Sequence, residues 1–323
     1  MVHESIKKCA SSVESQTSPF QKSRSQPCPD EDVSDQRRKQ IFERETSERR
    51  KGVGTVAEPV TLVSAGALGD FCIKVFEKLG VAPSDARIAS DVLVTADLRG
   101  VDSHGVARLS RYYVKYLKQG MVPARFETKV VHETPTTAVM DGGTGLGLVV
   151  GVRAMQLAID KAKDHYVGFV AVRNSTHYGI AGYYAMMALK HDMIGISTTN
   201  AKAIVLPTFG RKVMLGTNPI SIAVPAGEER PFVLDMATST VPQGKLEVYE
   251  RLGKPIPLGW GTDEEGRLST DTSRVLRNII EGKGGGLLPL GGMGEEHSGY
   301  KGYGWLWPWI FSQPCYRAQP VPL

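Results

Sequence analysis

From about residue 60 onward the chain carries apolar stripes of two different periods, and these mark out its elements. Leu68, Phe71, Val75 and Leu79 recur at helical spacing behind Ser64, a good capping residue, and Gly80 closes the run. Pro83 and Ser84 open a second helical stripe of Ile88, Val92, Leu93 and Ala96. A third begins near Ser103 and ends near Gly120. The pattern then turns to alternation: Lys129–Glu133 and Thr137–Asp141 read as short strands on either side of Thr134-Pro135. Residues 154–165 are helical, whereas VGFVAV at 167–172 is a continuous apolar run that predicts a buried strand. A helix over 181–190 follows, then strands at 193–198, 220–224 and 231–234. Residues 241–280 are polar, with turns and short helices. The stretch 281–294 (EGKGGGLLPLGGMG) is too rich in glycine for regular structure and predicts a mobile loop or a crossing of closely packed backbones. Strands alternating with helices make this an α/β chain.

Composition narrows the picture. The first 57 residues are polar and charged and predict a disordered extension, too acidic for a mitochondrial transit peptide. A length of 323 residues suits one large domain or two, and 41% hydrophobic content supports a real core. The net charge of +5 is spread among acidic residues, which argues against nucleic acid as the main partner. No apolar run approaches the roughly 20 residues that span a bilayer, so no membrane partner is expected, and the N-terminus has no secretory h-region. Cys9, Cys28, Cys72 and Cys315 show no metal-ligand spacing, so no metal is expected and a reduced, cytoplasmic setting is.

Three stretches carry chemistry. GVDSHGVARLSR at 100–111 puts Asp102, Ser103, His104 and Arg108 within seven residues. Helical from Ser103, it would set His104 and Arg108 on one face, where an imidazole beside a guanidinium can hold a carboxylate and pass a proton. The same residues also suit a capped helix with an ordinary surface His and Arg. In NSTHYG at 174–179, His177 follows a strand's carboxyl end, a usual place for α/β chemistry, although a loop histidine also serves as a structural hydrogen-bonder. LDMATST at 234–240 sets Asp235 just after a strand, suited either to a ribose or phosphate or to capping a helix. The glycines of DGGTGLG at 141–147 invite a dinucleotide fingerprint, but Gly143 and Gly145 would need a third glycine at Leu148. A turn or close backbone approach is expected there instead of a Rossmann motif.

Taken in order, DSHGVARLSRY, NSTHYG, LGTNPIS with LDMATST, and PLGG with GYKGYG resemble the type-2 malate/L-lactate dehydrogenase family over about residues 60–304. The resemblance implies an α/β, non-Rossmann fold with a central cofactor domain at 126–294 and a helical outer domain begun by 58–125. It also implies NAD- or NADP-dependent hydride transfer between a 2-hydroxy acid and its 2-keto acid, such as malate or lactate, by a homodimer. Reduction of another 2-keto or cyclic imino acid on the same scaffold is an alternative. By resemblance, His104 and His177 are the candidate proton donor and acceptor, Ser103 hydrogen-bonds the substrate, and Arg108 grips its carboxylate. Asn174, Asn218, Asp235, Met236, Ala237, Thr238 and Lys301 fall to the cofactor. Lys202 and Arg211 are candidate cations for a 2′-phosphate.

The chain departs from that family after KGYG. Where the family continues as a long apolar helix, this chain reads WLWPWIFSQPCYRAQPVPL, a poor helix. With suitable synonymous codons, restoring one nucleotide in the Gly304 codon turns this stretch into GLALAMDLLSAMLSG, an amphipathic helix. The tail over 295–323 is therefore expected to be an out-of-frame ending that truncates the outer domain. Sequencing the transcript across Gly304 tests this: an in-frame Trp305 codon with no helix in the neighbouring frame would sink it. A truncated chain would then be either a weakened enzyme or a non-catalytic protein that binds a dinucleotide or pairs with a full-length copy.

Overall fold

The computed structural model describes residues 62–292 and 297–306; the predicted N-terminal extension and the tail beyond Leu306 lie outside them. Helix α1 (Ala65–Lys78) starts as expected, the Ser64 side chain accepting the Ala67 amide, and Gly80 turns the chain at φ +88°. Helix α2 (Pro83–Leu98) has Pro83 in its first turn, where the missing N–H costs nothing. Together they bury Cys72, Phe76, Val92 and Leu93 against Leu109, Tyr113 and the start of α4 (Gly147–His165). That helix begins seven residues before the expected start, because Leu148, Val149 and Val150 are all buried.

One sheet holds β1 (Lys129–Glu133), β2 (Thr137–Asp141) and β3 (Phe169–Arg173), antiparallel then parallel, with α4 as the crossover from β2 to β3. The expectation of a buried strand at 167–172 is corrected here. Phe169 is 64% exposed and every β1 residue is exposed. β3 is an edge strand that packs on α4, and four of its five residues are exposed. The second sheet, β4 (Gly195–Thr198), β5 (Ile220–Val224) and β6 (Phe232–Met236), is wholly antiparallel and backs onto α5 (Ala181–Met187).

A second core gathers Ile204, Val205, Leu246, Ile256, Val275, Leu276 and Leu287 around α6 (Gln243–Arg251) and α7 (Thr272–Glu281). Leu287, in the glycine-rich stretch, is fully buried and exchanges backbone hydrogen bonds with Ile204 and Leu206 at 2.9 Å. That stretch is thus a close backbone crossing. A Cβ on Gly285 would stand 2.2 Å from the Asp263 carbonyl, and its φ is +65°. A last helix, α8, covers Gly299–Leu306.

Candidate active site

The 101–108 segment is not the helix its spacing predicts. Residues 102–106 form turns, with the His104 amide bonded to the Val101 carbonyl and the Arg108 amide to Gly105. A π-helix then runs over Leu109–Val114 and passes into a short α-helix, α3 (Lys115–Lys118). The local cause is Asp97, at the end of α2. Its carboxylate accepts the Val106 amide at 2.8 Å and fills the space where a Cβ on residue 105 would go, which is why the turn carries Gly105. His104 and Arg108 are still brought together, but by a bond across the turn: Arg108 Nε donates to the Ser103 carbonyl at 2.8 Å. Ser103 Oγ lies 2.9 Å from His104 Nδ1.

His177 reaches the same place from the other motif. The two imidazoles stack with centroids 5.5 Å apart and planes 15° from parallel. Its loop is seated on the glycine run: Thr176 Oγ1 accepts the Gly147 amide and donates to the Gly145 carbonyl. A Cβ on Gly147 would meet the Thr176 carbonyl at 2.1 Å. The run is therefore a close backbone approach, as its spacing implied.

Both imidazoles are neutral near pH 7. Burial, foremost, and the Arg108 charge push His104 down to about 4, against a smaller pull from Glu247. Burial, then the repulsion that a second protonated imidazole, His104, would exert, then the Arg108 charge, push His177 down to about 3. Arg108 is anchored by α6, with Nη1 3.0 Å from Glu247 Oε2, while Gln243 Nε2 donates to Glu247 Oε1 at 3.0 Å. Gly244 leaves room for this, since a Cβ there would meet Arg108 Nη2 at 2.4 Å. Glu247, 139 residues from Arg108, gave no sequence signal. Nor did Tyr112 and Tyr113, whose rings sit 5.0 and 6.0 Å from His177 and which read simply as an amphipathic stripe.

The residues assigned to a cofactor gather elsewhere. In the antiparallel second sheet the end of β4, the start of β5 and the end of β6 lie together, since Thr198 pairs with Ile220 and Ile220 with Met236. There Asn218 Oδ1 accepts the Ala201 amide at 3.0 Å, and Thr238 Oγ1 donates to the Thr217 and Asn218 carbonyls. Met236 and Ala237 are half-buried beside them. The Leu290 amide bonds to the Thr238 carbonyl, and Gly302 packs on Leu290, which hangs exposed Lys301 near the same end. Tyr178 links this end to His177, its hydroxyl 3.4 Å from Ser197 Oγ and its neighbourhood including Asp235. Asn174 instead points back, donating to Asp141 at 2.8 Å.

Asp235 needs a correction. It lies within β6 rather than after a strand, and its carboxylate accepts the Gly182 amide at 2.7 Å at the start of α5. It thus caps a helix from a distance. Burial pushes its pKa up, opposed by that bond and by Arg99.

The sequence profile of the malate/L-lactate dehydrogenase family matches residues 63–307. The chain belongs to that family. It is 53% identical over 251 residues to a malate dehydrogenase of Pyrococcus horikoshii, covering 78% of this chain and 68% of that one. It is 45% identical to the L-sulfolactate dehydrogenase of Methanocaldococcus jannaschii, covering 72% and 63%. The crystal structure of malate dehydrogenase from Entamoeba histolytica superposes with a TM-score of 0.75 at 40% identity, over 79% of this chain and 69% of that one. The chain thus spans about two thirds of the length of these relatives. Membership makes it an α/β oxidoreductase, and the malate and lactate of the family's description are both 2-hydroxy acids. No helix among the described residues is long and apolar enough to cross a membrane, and no group of three His, Cys, Asp or Glu there could hold a metal.

Proposed function

We propose that the chain transfers hydride between NAD or NADP and a 2-hydroxy acid of the malate or lactate type. The observation that carries this reading is the stacked pair of buried, neutral imidazoles beside Arg108. In the oxidative direction hydride leaves C2, the hydroxyl proton passes to a neutral imidazole, and a C2 carbonyl forms. A base must start unprotonated, and both histidines do. Arg108 would draw the substrate carboxylate, with Ser103 hydrogen-bonding beside it.

The residues present fit a dinucleotide. Three segments distant in sequence, around Asn200, Asn218 and Ala237-Thr238, converge at one end of a sheet, where Asn200 is exposed and buried Asn218 and Thr238 fix the uncharged backbone around it, with Lys301 close by in the packing. When bound, the cofactor supplies or accepts the hydride. Asp235, Asn218 and Thr238 would shape its wall through the backbone they hold, while Asn174 would stiffen the loop of His177. Lys202 follows Ala201 at that end, where a cation would serve a 2′-phosphate, whereas Arg211 lines a groove of about 700 Å³ with Lys212 and Lys283.

The proposal includes a cofactor domain over 126–294, a homodimer, and a cytoplasmic setting that suits the free, buried thiol of Cys72. Fluorescence titration with NADH and NADPH, followed by a 2-keto acid panel that includes a cyclic imino acid, tests it. Turnover lost in His104→Ala or His177→Ala supports the enzyme. Cofactor binding without turnover of any acid would overturn it in favour of a non-catalytic binding protein.

A further inference from the structure

We propose that Tyr113 is a positioning residue which, with the Gly179 amide, holds His177 as its Nε2–H tautomer, so that His177 meets the substrate as a hydrogen-bond donor. This deepens the dehydrogenase reading and rests on it. Two groups approach His177 Nδ1, the Tyr113 hydroxyl at 2.8 Å and the Gly179 backbone N–H at 3.2 Å. A backbone N–H can only donate, so Nδ1 must present its lone pair. The Tyr113 hydroxyl, free to rotate, then donates as well. With Nδ1 an acceptor on a neutral ring, the proton sits on Nε2.

The surroundings support a fixed ring. Tyr113 is 2% exposed and packs edge-on to Phe76 and Tyr112. Tyr112 faces the backbone amide of His177 itself. Both tyrosines come from the π-helical turn Leu109–Val114, and such turns are frequent at functional sites. A 2-keto acid offers only acceptor oxygens, so a fixed Nε2–H is complementary to it. The same tautomer cannot accept the hydroxyl proton, and that task falls to His104.

The test is ¹⁵N NMR of the full chain labelled at histidine, with His177→Gln assigning the signals. The expected spectrum at neutral pH has His177 Nδ1 unprotonated and Nε2 protonated; a protonated Nδ1 overturns the proposal. Tyr113→Phe removes only the hydroxyl. It should move the Nδ1 signal toward a mixture of tautomers and lower kcat roughly ten- to a hundredfold, short of the loss from a wholly wrong tautomer, with cofactor KM unchanged. An unmoved Nδ1 signal and unchanged kcat in that variant also overturn it. If the variant does not fold, the unmodified protein's spectrum still decides. The spectrum needs no turnover, so an inactive chain with the expected tautomer would sink the dehydrogenase reading and leave this assignment standing.

Discussion

The two histidines stack on each other, yet the segments that carry them are held by opposite means. His104 sits in a turn closed mainly by its neighbours: Val101, Ser103 and Arg108 bond within it, Asp97 holds Val106 from nine residues away, and the Arg108–Glu247 ion pair ties it to α6. His177 sits in a strap held by Gly145 and Gly147, some 30 residues away, and by Tyr113, 64 away. A turn built from local bonds survives changes elsewhere in the fold. A strap built from distant ones keeps its geometry only while α4 and the π-helix stay in register.

The largest expected effect is on chemistry. His104→Gln and His177→Gln should each lower kcat by about 10³-fold, within the range for a positioned proton-transfer group. The double variant should lose little more, because the pair acts as a unit. Fully additive losses by steady-state kinetics would break that pairing. Next, Arg108→Lys keeps the charge but not the fork, and should raise the keto acid KM by about 10²-fold with cofactor binding by fluorescence unchanged.

Glycine replacements set the two supports against each other. Gly147→Ala drives a Cβ into the Thr176 carbonyl, which is backbone, and should cost about 2–3 kcal/mol in denaturant unfolding while lowering kcat. Gly105→Ala meets the Asp97 side chain, which can turn aside, and should cost about 1 kcal/mol. Equal costs would show that the strap is no more dependent on its surroundings than the turn.

Acid acts on both segments together. Both histidines have folded pKa values below the unfolded value of about 6.5, so the unfolded chain takes up protons first as pH falls. Their contribution is intact above about 6.5 and is lost toward 4, by roughly 1.4 kcal/mol per pH unit for each histidine. Thermal unfolding between pH 6.5 and 4.5 should show that slope, reduced by a similar amount in either glutamine variant.

Local bonding also explains what could be read in advance. The caps at Ser64 and Gly80, the start at Pro83 and the limits of β1, β2 and β5 are short-range choices, and they stand where the pattern put them. So do the motif residues around His104, which remain together although the helix expected to join them is a turn. What escaped prediction depends on contacts far along the chain. An apolar run cannot say whether its strand is central or at an edge, so the exposure of β3 was invisible. An aspartate near a strand end offered two readings, a ribose contact or a helix cap, and only the folded chain shows that Asp235 holds the Gly182 amide at the start of α5. Glu247 and Tyr113 act across 139 and 64 residues, and only the folded chain shows what they touch.

The π-helical turn over Leu109–Val114 also constrains the number of residues there, apart from their kind. Its hydrogen bonds span one residue more than those of an α-helix. A π turn is one residue longer than the α-helical path between the same flanks, so deleting a residue between Leu109 and Val114 would let the segment relax to α-helix with its flanks roughly in place. The loop of Ser103 and His104 would then keep Arg108's anchor on α6, while the tyrosines shift in register against His177. The count of residues in the turn thus sets which side chain faces His177 more than it sets the fold around it.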